Sequence, residues 1–217
     1  MKTRYSLFQF IKTMADFLLA LFALILLFPL FLIIVISIFF DSDGPVIFKQ
    51  ERLGKGGKLF RIWKFRTMIK NAESIGLGLA SAENDPRVTK IGKFLRKWTL
   101  DEWPQLVNIL RGEMSLVGPR PLPKYENMGR FSSGLWEKRV LVKPGLICLV
   151  DIKGRGLVPW GKRLEYDAWY VDNWSLWLDL KVFIIGFFAV LSRKGVYGNG
   201  GRNELPSLLE EGEEKEE

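Results

Sequence analysis

Two adjacent carboxylates, Asp101 and Glu102, are the side chains of this sequence best suited to chemistry. They precede Pro104, and proline is tolerated in the first turn of a helix because its missing N–H would be unpaired there. Residues 105–110 predict a helix, whose N-terminal partial positive charge favours anions. Four basic residues lie nearby in sequence: Arg96, Lys97, Arg111 and Arg120. Carboxylates that can hold a metal, among arginines that can hold phosphate, indicate phosphoryl transfer.

A purely structural role is the alternative for this segment. Thr99 and Glu102 have the Ser/Thr-x-x-Glu spacing of a capping box, in which side chains satisfy free backbone N–H groups at a helix start. Such short motifs also occur by chance. The spacing alone therefore leaves both capping and catalysis open.

Composition narrows the possible chemistry. The 217 residues include no histidine, which excludes histidine bases, Ser-His triads and imidazole metal sites. The single cysteine, Cys148, excludes an internal disulfide. Acid–base or metal chemistry must therefore use carboxylates, lysines, tyrosines or this one thiol.

The net charge of +8 is unevenly distributed. Residues 204–217 contain seven glutamates and one lysine, and this composition predicts an acidic disordered tail. The remainder is strongly basic, which suits nucleic acid, an anionic membrane surface or phosphorylated substrates. No nucleic-acid-binding module is recognisable, and the apolar N-terminus favours the membrane.

Phe17 to Phe40 forms an apolar segment in which Ser37 is the only polar side chain. As a helix, it would be about 36 Å long, enough to cross a bilayer core of roughly 30 Å. From the residues alone, a spanning helix is the default. However, Pro29 at the centre predicts a kink, and both flanks are basic, so charge does not select one orientation. A helix bent at Pro29, with both ends on the cytoplasmic face, satisfies both flanks.

The remaining pattern predicts short elements. Alternating β-branched and aromatic residues at 46–52 and 58–65, separated by glycines, predict a β-hairpin. Asp85 and Pro86 predict the cap and first residue of a helix, with Val88, Ile91, Leu95 and Trp98 on its apolar face. The other expectations are a mobile loop or lid at 69–84, irregular structure at 123–138, a strand at 146–152, a helix at 161–173, and an in-plane or core-packed helix near 182–191.

Four motifs occur in a fixed order along the chain, and one of them carries Asp101 and Glu102. They are KFRTM at 64–68, DPRVTKIGKFLR at 85–96, LDEWPQLVN at 100–108 and GEMSLVGPRP at 112–121. In these motifs the chain resembles the bacterial sugar transferase family, the monotopic polyprenyl-phosphate phosphoglycosyl transferases. It departs from the family at Phe28, which replaces the usual serine before Pro29, and along 147–155, where Cys148 replaces a glycine and Asp151 a glutamine among other changes.

The resemblance implies an activity. A sugar 1-phosphate would pass from a UDP-sugar to polyprenyl (undecaprenyl) phosphate with release of UMP, as the initiating membrane step of polysaccharide or glycan synthesis. Asp101 would be the nucleophile that forms an aspartyl phosphosugar, and Glu102 would assist by metal coordination or as a base. Mg²⁺ would be held by both carboxylates, since hard oxygen ligands suit it. The expected phosphate or substrate ligands are Arg96, Arg120, Arg155, Lys64 and Arg66, whereas Arg139 is expected to be more tolerant of substitution than Arg120.

The resemblance also implies an architecture. It predicts an α+β monotopic membrane protein on the bacterial inner membrane, with a re-entrant helical hairpin at 1–40 broken at Pro29. A mainly helical catalytic domain with a small β-hairpin and interfacial helices would occupy 41–203 on the cytoplasmic face, touching anionic lipids. The acidic tail would be 204–217. The oligomeric state stays open, with a homodimer as one option.

Two other function classes are open from the residues: a membrane-tethered basic binding or scaffold protein, and a membrane phosphatase or nuclease with a carboxylate–metal site. Continuous UMP release that depends on both a sugar nucleotide and a lipid phosphate would separate them from the transferase.

Overall fold

The computed structural model describes residues 2–75, 81–82, 84–122, 134–193, 195–196 and 202–203. The helices are α1 (Lys2–Asp41), α2 (Lys90–Lys97), α3 (Gln105–Leu110), α4 (Gly134–Arg139), α5 (Leu149–Lys153), α6 (Trp160–Asp172) and α7 (Leu176–Leu191). The strands are β1 (Ile47–Leu53), β2 (Leu59–Phe65), β3 (Ser81–Ala82), β4 (Ser115–Val117), β5 (Gly145–Ile147) and β6 (Arg202–Asn203). The class is therefore α+β, as predicted. The acidic tail at 204–217 and parts of the predicted lid lie outside the described residues.

Helix α1 contains the predicted membrane segment. Its portion Leu7–Asp41 is long and apolar enough to cross a membrane, by length and composition. The helix is continuous through Pro29. A break at Pro29 is thus not seen, and the re-entrant hairpin is not confirmed and stays a prediction.

One face of α1 contacts the rest of the chain along most of the helix. Its contact residues recur every three or four positions, as one helical face requires. They include Lys12, Asp16, Ala20, Phe31, Ile34, Ile38 and Asp41. The opposite face exposes large apolar side chains, with Phe22 64% and Phe40 82% exposed. Both ends of the apolar segment therefore contact the same folded domain, while its other face is exposed.

A buried polar cluster holds the N-terminal part of α1 against the rest of the chain. We call its residues the anchor cluster: Lys12, Asp16, Ser115, Tyr170 and Asp179. Ser115 Oγ donates to Asp16 Oδ2 at 2.7 Å, and Lys12 Nζ donates to Asp179 Oδ2. The Tyr170 hydroxyl donates to Asp179 Oδ1, and it also lies 3.2 Å from the carbonyl oxygen of Val117. The cluster joins α1, α6, α7 and β4.

The predicted hairpin is confirmed. Strands β1 and β2 pair antiparallel from Ile47↔Phe65 to Leu53↔Leu59. Alternation places Ile62 in the main hydrophobic core and leaves Lys64 on the same side of the strand. Asn108 on α3, fully buried, accepts from Trp63 N at 3.0 Å and donates to the carbonyl oxygen of Arg61 at 2.8 Å. These bonds lock α3 against the strand that carries Lys64.

Two further strand pairs were not predicted. Strands β4 and β5 are parallel, with Ser115↔Gly145 and Val117↔Ile147 as partners, and β3 pairs antiparallel with β6. Just beyond β4, a Cβ on Gly118 would lie 2.5 Å from the carbonyl oxygen of Lys143. Glycine is therefore required where the chain leaves β4.

The helix predicted to start at Asp85 begins later. Helix α2 starts at Lys90, and Thr89 is its cap, accepting from Gly92 N at 3.0 Å. The Asp85 carboxylate instead accepts from its neighbour Arg87, at 2.7 Å from Nη2. The cap prediction was wrong because a local buried ion pair occupies the carboxylate.

The segments around Cys148 and Trp136 also differ from prediction. The strand is Gly145–Ile147, so only the first two residues of the predicted 146–152 strand belong to it, and Leu149–Lys153 is helical. Asp151 ends the strand because its carboxylate accepts from Cys148 N at 2.7 Å, an N-terminal capping interaction. In the segment predicted to be irregular, Gly134–Arg139 is a helix. The helix predicted at 161–173 is confirmed as α6.

Candidate active site

The dyad lies on a single 3-10 turn, Leu100–Glu102, immediately before α3. Thr99 has φ 57°, a left-handed conformation that is rare for a β-branched residue and costs energy. Its side chain makes no capping hydrogen bond to the turn. The capping-box alternative was therefore wrong, and the carboxylates are free to make other contacts.

Glu102 is buried between two cations. Its Oε1 accepts from Lys64 Nζ and from Arg120 Nη2, both at 2.9 Å. Burial by itself raises the pKa of Glu102, but Lys64 and Arg120, with help from Arg155, outweigh it and hold the pKa well below its usual range. A carboxylate in this state is a weak base and a weak nucleophile, so Glu102 is suited to organising positive charge.

Asp101 is in the opposite state. It is partly exposed, and within the described residues no cationic nitrogen lies within 4.0 Å of its carboxylate. Burial and the charge of Glu102 raise the pKa of Asp101, while Lys64 and Arg96 oppose the shift. A more basic, unpaired carboxylate is the better nucleophile of the two.

The structure brings two more of the predicted ligands, Arg155 and Arg96, around the dyad, beside Arg120. Arg120 follows Gly118 and Pro119, and its own charge is stabilised because Glu102 raises its pKa. Arg155 Nη2 donates to Thr99 Oγ1 at 3.2 Å. Arg96 Nε donates to Thr67 Oγ1 at 2.9 Å, and its charge acts on Asp101.

Arg66 is placed differently. Its buried guanidinium donates to the carbonyl oxygen of Pro45 at 2.8 Å and of Ile38 at 3.3 Å, and to Ser42 Oγ at 3.0 Å. These groups belong to the C-terminal end of α1 and the turn after it. Arginine there satisfies free helix carbonyls, which accounts for the burial of Arg66 without a phosphate, and its role in substrate binding stays a prediction.

The sequence reasoning missed Arg139 and Asp167. Arg139 was expected to be more tolerant of substitution than Arg120, yet it is buried, and its Nη2 lies 2.6 Å from Asp167 Oδ2 and 2.7 Å from the carbonyl oxygen of Arg120. A signal existed: Asp167 shares the buried face of α6 with Leu164 and Ala168, where an acid is unusual. Asp151, known only as a departure from the family pattern, also contacts Arg155, at 3.6 Å.

The dyad by itself supplies too few ligands to hold a metal ion. In the described part of the chain, no group of three or more His, Cys, Asp or Glu side chains is placed to hold a metal. Mg²⁺, however, is commonly bound by one or two carboxylates, water and substrate phosphates. Asp101 and Glu102 supply such a pair of carboxylates.

Fold and site together define a membrane-associated domain whose carboxylate–arginine site suits phosphate chemistry. A family model described as bacterial sugar transferase matches residues 7–193. The chain belongs to the bacterial sugar transferase family.

Characterised and uncharacterised relatives agree with this assignment. The chain is 37% identical over 203 residues to the undecaprenyl-phosphate galactose phosphotransferase of Salmonella typhimurium, covering 87% of this chain and 42% of the relative. It is 41% identical over 195 residues to the UDP-glucose:undecaprenyl-phosphate glucose-1-phosphate transferase of Klebsiella pneumoniae, covering 86% and 41%. It is 44% identical over 159 residues to the uncharacterized sugar transferase EpsL of Bacillus subtilis, covering 70% and 73%. The chain thus spans about two fifths of the length of the first two relatives.

Proposed function

We propose that this protein transfers a sugar 1-phosphate from a UDP-sugar to undecaprenyl phosphate and releases UMP, in polysaccharide synthesis. The observation that carries the proposal is the division of the dyad: Glu102 is neutralised by two cations, whereas Asp101 has no ion-pair partner among the described residues. The printed names of the relatives, which include glucose and galactose phosphate transferases acting on undecaprenyl phosphate, support the same substrate classes.

The reaction takes two displacements at one phosphorus atom. An oxygen of Asp101 attacks the phosphorus that carries the sugar, the bond from that phosphorus to the bridging oxygen breaks, and UMP leaves with the electron pair. An oxygen of undecaprenyl phosphate then attacks the same phosphorus, and the bond to Asp101 breaks. The products are UMP and an undecaprenyl diphosphate sugar, and Asp101 is regenerated.

The cations act on the phosphates. Lys64 and Arg120 meet at Glu102 Oε1, so Glu102 holds both donors in place before the substrate arrives, and such preorganisation lowers the barrier without later rearrangement. Arg96 and Arg155 approach from α2 and from the turn after α5. Mg²⁺, held by Asp101 and Glu102 with the diphosphate, would neutralise charge on the leaving group. The low pKa of Glu102 favours this supporting role over that of a base.

The contacts of α1 support the monotopic arrangement. Lys12 and Asp41 lie near opposite ends of the apolar segment, and each contacts the same domain. A helix that crossed the bilayer would carry one of these contacts to the far side. We therefore propose that α1 enters and leaves the membrane on the cytoplasmic face of the inner membrane, with the exposed apolar residues of α7 and the lysines of α2 at its anionic surface.

The activity is tested by incubating the purified protein with UDP-glucose or UDP-galactose labelled in the sugar-bearing phosphate. Without lipid, we expect a UMP burst of at most one per enzyme, with label retained on the protein. Undecaprenyl phosphate should then permit turnover. UMP formation only when lipid is present would favour direct in-line transfer. Release of inorganic phosphate would favour a phosphatase, and no reaction with either sugar nucleotide would favour a binding protein.

The topology is tested by labelling cysteines placed at Ser6 and Asp43 in sealed vesicles, in a Cys148→Ala background. Asp43 is exposed, whereas the neighbouring Ser42 is engaged by Arg66. Labelling of both sites from one face is expected. Labelling from opposite faces would rule out the re-entrant arrangement.

A further inference from the structure

We infer that Arg139 and Asp167 form a positioning pair for Arg120, and that they act in the reaction without touching the substrate. The inference rests on the proposed function, in which Arg120 binds a substrate phosphate. It starts from a single nitrogen: Nη2 of Arg139 lies 2.7 Å from the backbone carbonyl oxygen of Arg120 and 2.6 Å from Asp167 Oδ2.

The pair is built from two different helices. Arg139 ends α4 and Asp167 lies within α6, and their side chains are only 5% and 2% exposed. The guanidinium of Arg139 also lies 5.4 Å from the ring centroid of Trp136. These contacts fix the direction of Arg139, so that its donor meets the Arg120 carbonyl in one geometry.

Other elements hold the neighbours of Arg120, since Arg52 Nη1 donates to the carbonyl oxygen of Pro121 at 3.2 Å, and Arg139 holds the carbonyl oxygen of Arg120 itself. Arg120 follows the end of β4, and Gly145 N donates to the carbonyl oxygen of the preceding residue, Pro119, at 2.8 Å. Its side chain is 40% exposed and reaches Glu102 at 2.9 Å. A shift of the backbone would carry the guanidinium away from Glu102, and catalytic groups are sensitive to displacements of about 1 Å.

The pair is poorly arranged for stability alone. Arg139 Nη1 and Asp167 Oδ1 are buried and find no hydrogen-bond partner within the described residues. Buried polar atoms without partners cost free energy, and replacing buried ion pairs by apolar side chains is often neutral or stabilising. Positioning Arg120 explains why charges are nevertheless placed there.

The same two helices provide a matched control. Lys138 Nζ pairs with Asp172 Oδ2 at 2.6 Å, also between α4 and α6, but these side chains are 43% and 50% exposed. Breaking this exposed pair tests whether docking of α4 on α6 matters by itself. Breaking Arg139–Asp167 additionally releases the Arg120 carbonyl.

The experiment is a double-mutant cycle in kcat/KM with Arg139→Lys and Arg120→Lys, with Lys138→Gln as the control. Arg139→Lys keeps the charge but lacks the planar fork, so we expect about a tenfold loss, equivalent to about 1.4 kcal/mol. The double variant should be no more than about threefold below Arg120→Lys alone, because Arg120→Lys has already removed the guanidinium that Arg139 positions. Lys138→Gln should be unchanged.

Two outcomes would overturn the inference while leaving the proposed function intact. One is wild-type turnover of folded Arg139→Lys; the other is a double variant whose losses multiply, which would show an independent effect. If Arg139→Lys does not fold, Asp167→Asn replaces it in the cycle, and failure of both to fold would mean that the pair serves the fold instead of Arg120. Absence of sugar-phosphate transfer by the wild type would instead contradict the proposed function.

Discussion

The anchor cluster and the dyad both place carboxylates beside cations, but only the dyad leaves one of them without an ion-pair partner among the described residues. In the anchor region Asp179 accepts from Lys12, Tyr170 and Trp174, while Asp16 accepts from Ser115 Oγ and Leu116 N. In the dyad Glu102 is equally well paired, yet its neighbour Asp101 has no cation within ion-pair distance among the described residues.

The difference separates structural charges from chemical ones. A buried charge whose hydrogen bonds are all made holds elements together, because removing any partner leaves an uncompensated group. A carboxylate that lacks a partner beside well-held cations retains its nucleophilic capacity. The comparison predicts that substitutions in the two regions fail in different ways, one in activity and the other in stability.

The largest expected effect is at the unpaired carboxylate. Asp101→Asn should reduce turnover at least about a thousandfold, equivalent to about 4 kcal/mol, because an amide does not form the acyl phosphate. Its thermal stability should stay close to wild type, since no ion pair is lost. Turnover and retained label measure the first effect, and a melting curve in detergent measures the second. Substantial turnover by the folded variant would disprove the covalent assignment.

The anchor cluster should behave in the reverse manner. Asp179→Asn removes the charge that faces Lys12, and breaking a buried pair typically costs about 3 kcal/mol or more. Activity per folded molecule should be retained. Chemical denaturation measures the loss, with Asp172→Asn, at an exposed ion pair, as the control expected to change stability by less than about 1 kcal/mol. Wild-type stability of Asp179→Asn would remove the distinction between the two regions.

Two arginines sharpen the comparison. Arg120→Lys should lose about tenfold in kcat/KM or more, equivalent to about 1.4 kcal/mol, because lysine lacks the planar donor pair.

Arg66→Lys should instead lower stability by about 1–3 kcal/mol, since buried carbonyls at the end of α1 lose donors. Activity of the folded fraction and the unfolding free energy are measured for both. A specific loss of turnover in stable Arg66→Lys would return that residue to the substrate site.

The smallest effect is a pH dependence of stability. Burial raises the pKa of Asp167 to about 6, with Arg139 opposing the shift and Asp151 adding to it. Because this folded-state pKa lies above the ordinary aspartate value of 3.8, the stabilising contribution of Asp167 is complete below about pH 4 and is lost as pH rises through 6. Asp167→Asn lacks this titration.

The difference in unfolding free energy between wild type and Asp167→Asn should therefore change between pH 4.5 and 7, with wild type losing stability relative to the variant as pH rises. Glu102 acts in the opposite sense: its lowered pKa adds stability that is lost as pH falls below the ordinary carboxyl range. A constant difference between wild type and Asp167→Asn would contradict the raised pKa. Asp172→Asn is the control for loss of a carboxylate on α6.

Local features could be predicted from the sequence. The apolar segment, the β1–β2 hairpin, α3 at 105–110 and α6 follow from periodicity, glycine placement and proline position, which act within a few residues. The dyad was recognised because its carboxylates are adjacent in the chain. The family followed from motifs that are continuous in sequence.

Partnerships between distant residues were decided by the tertiary structure. Lys64 and Glu102 are 38 positions apart, and they meet because Asn108 fixes α3 against β2. Arg66 and Arg139 have the same side chain as Arg120, but packing directs one to the end of α1 and the other to Asp167. A guanidinium is equally suited to phosphate, carboxylate and carbonyl oxygen, so residue type alone does not assign its role. Only the fold determines which oxygen lies within reach.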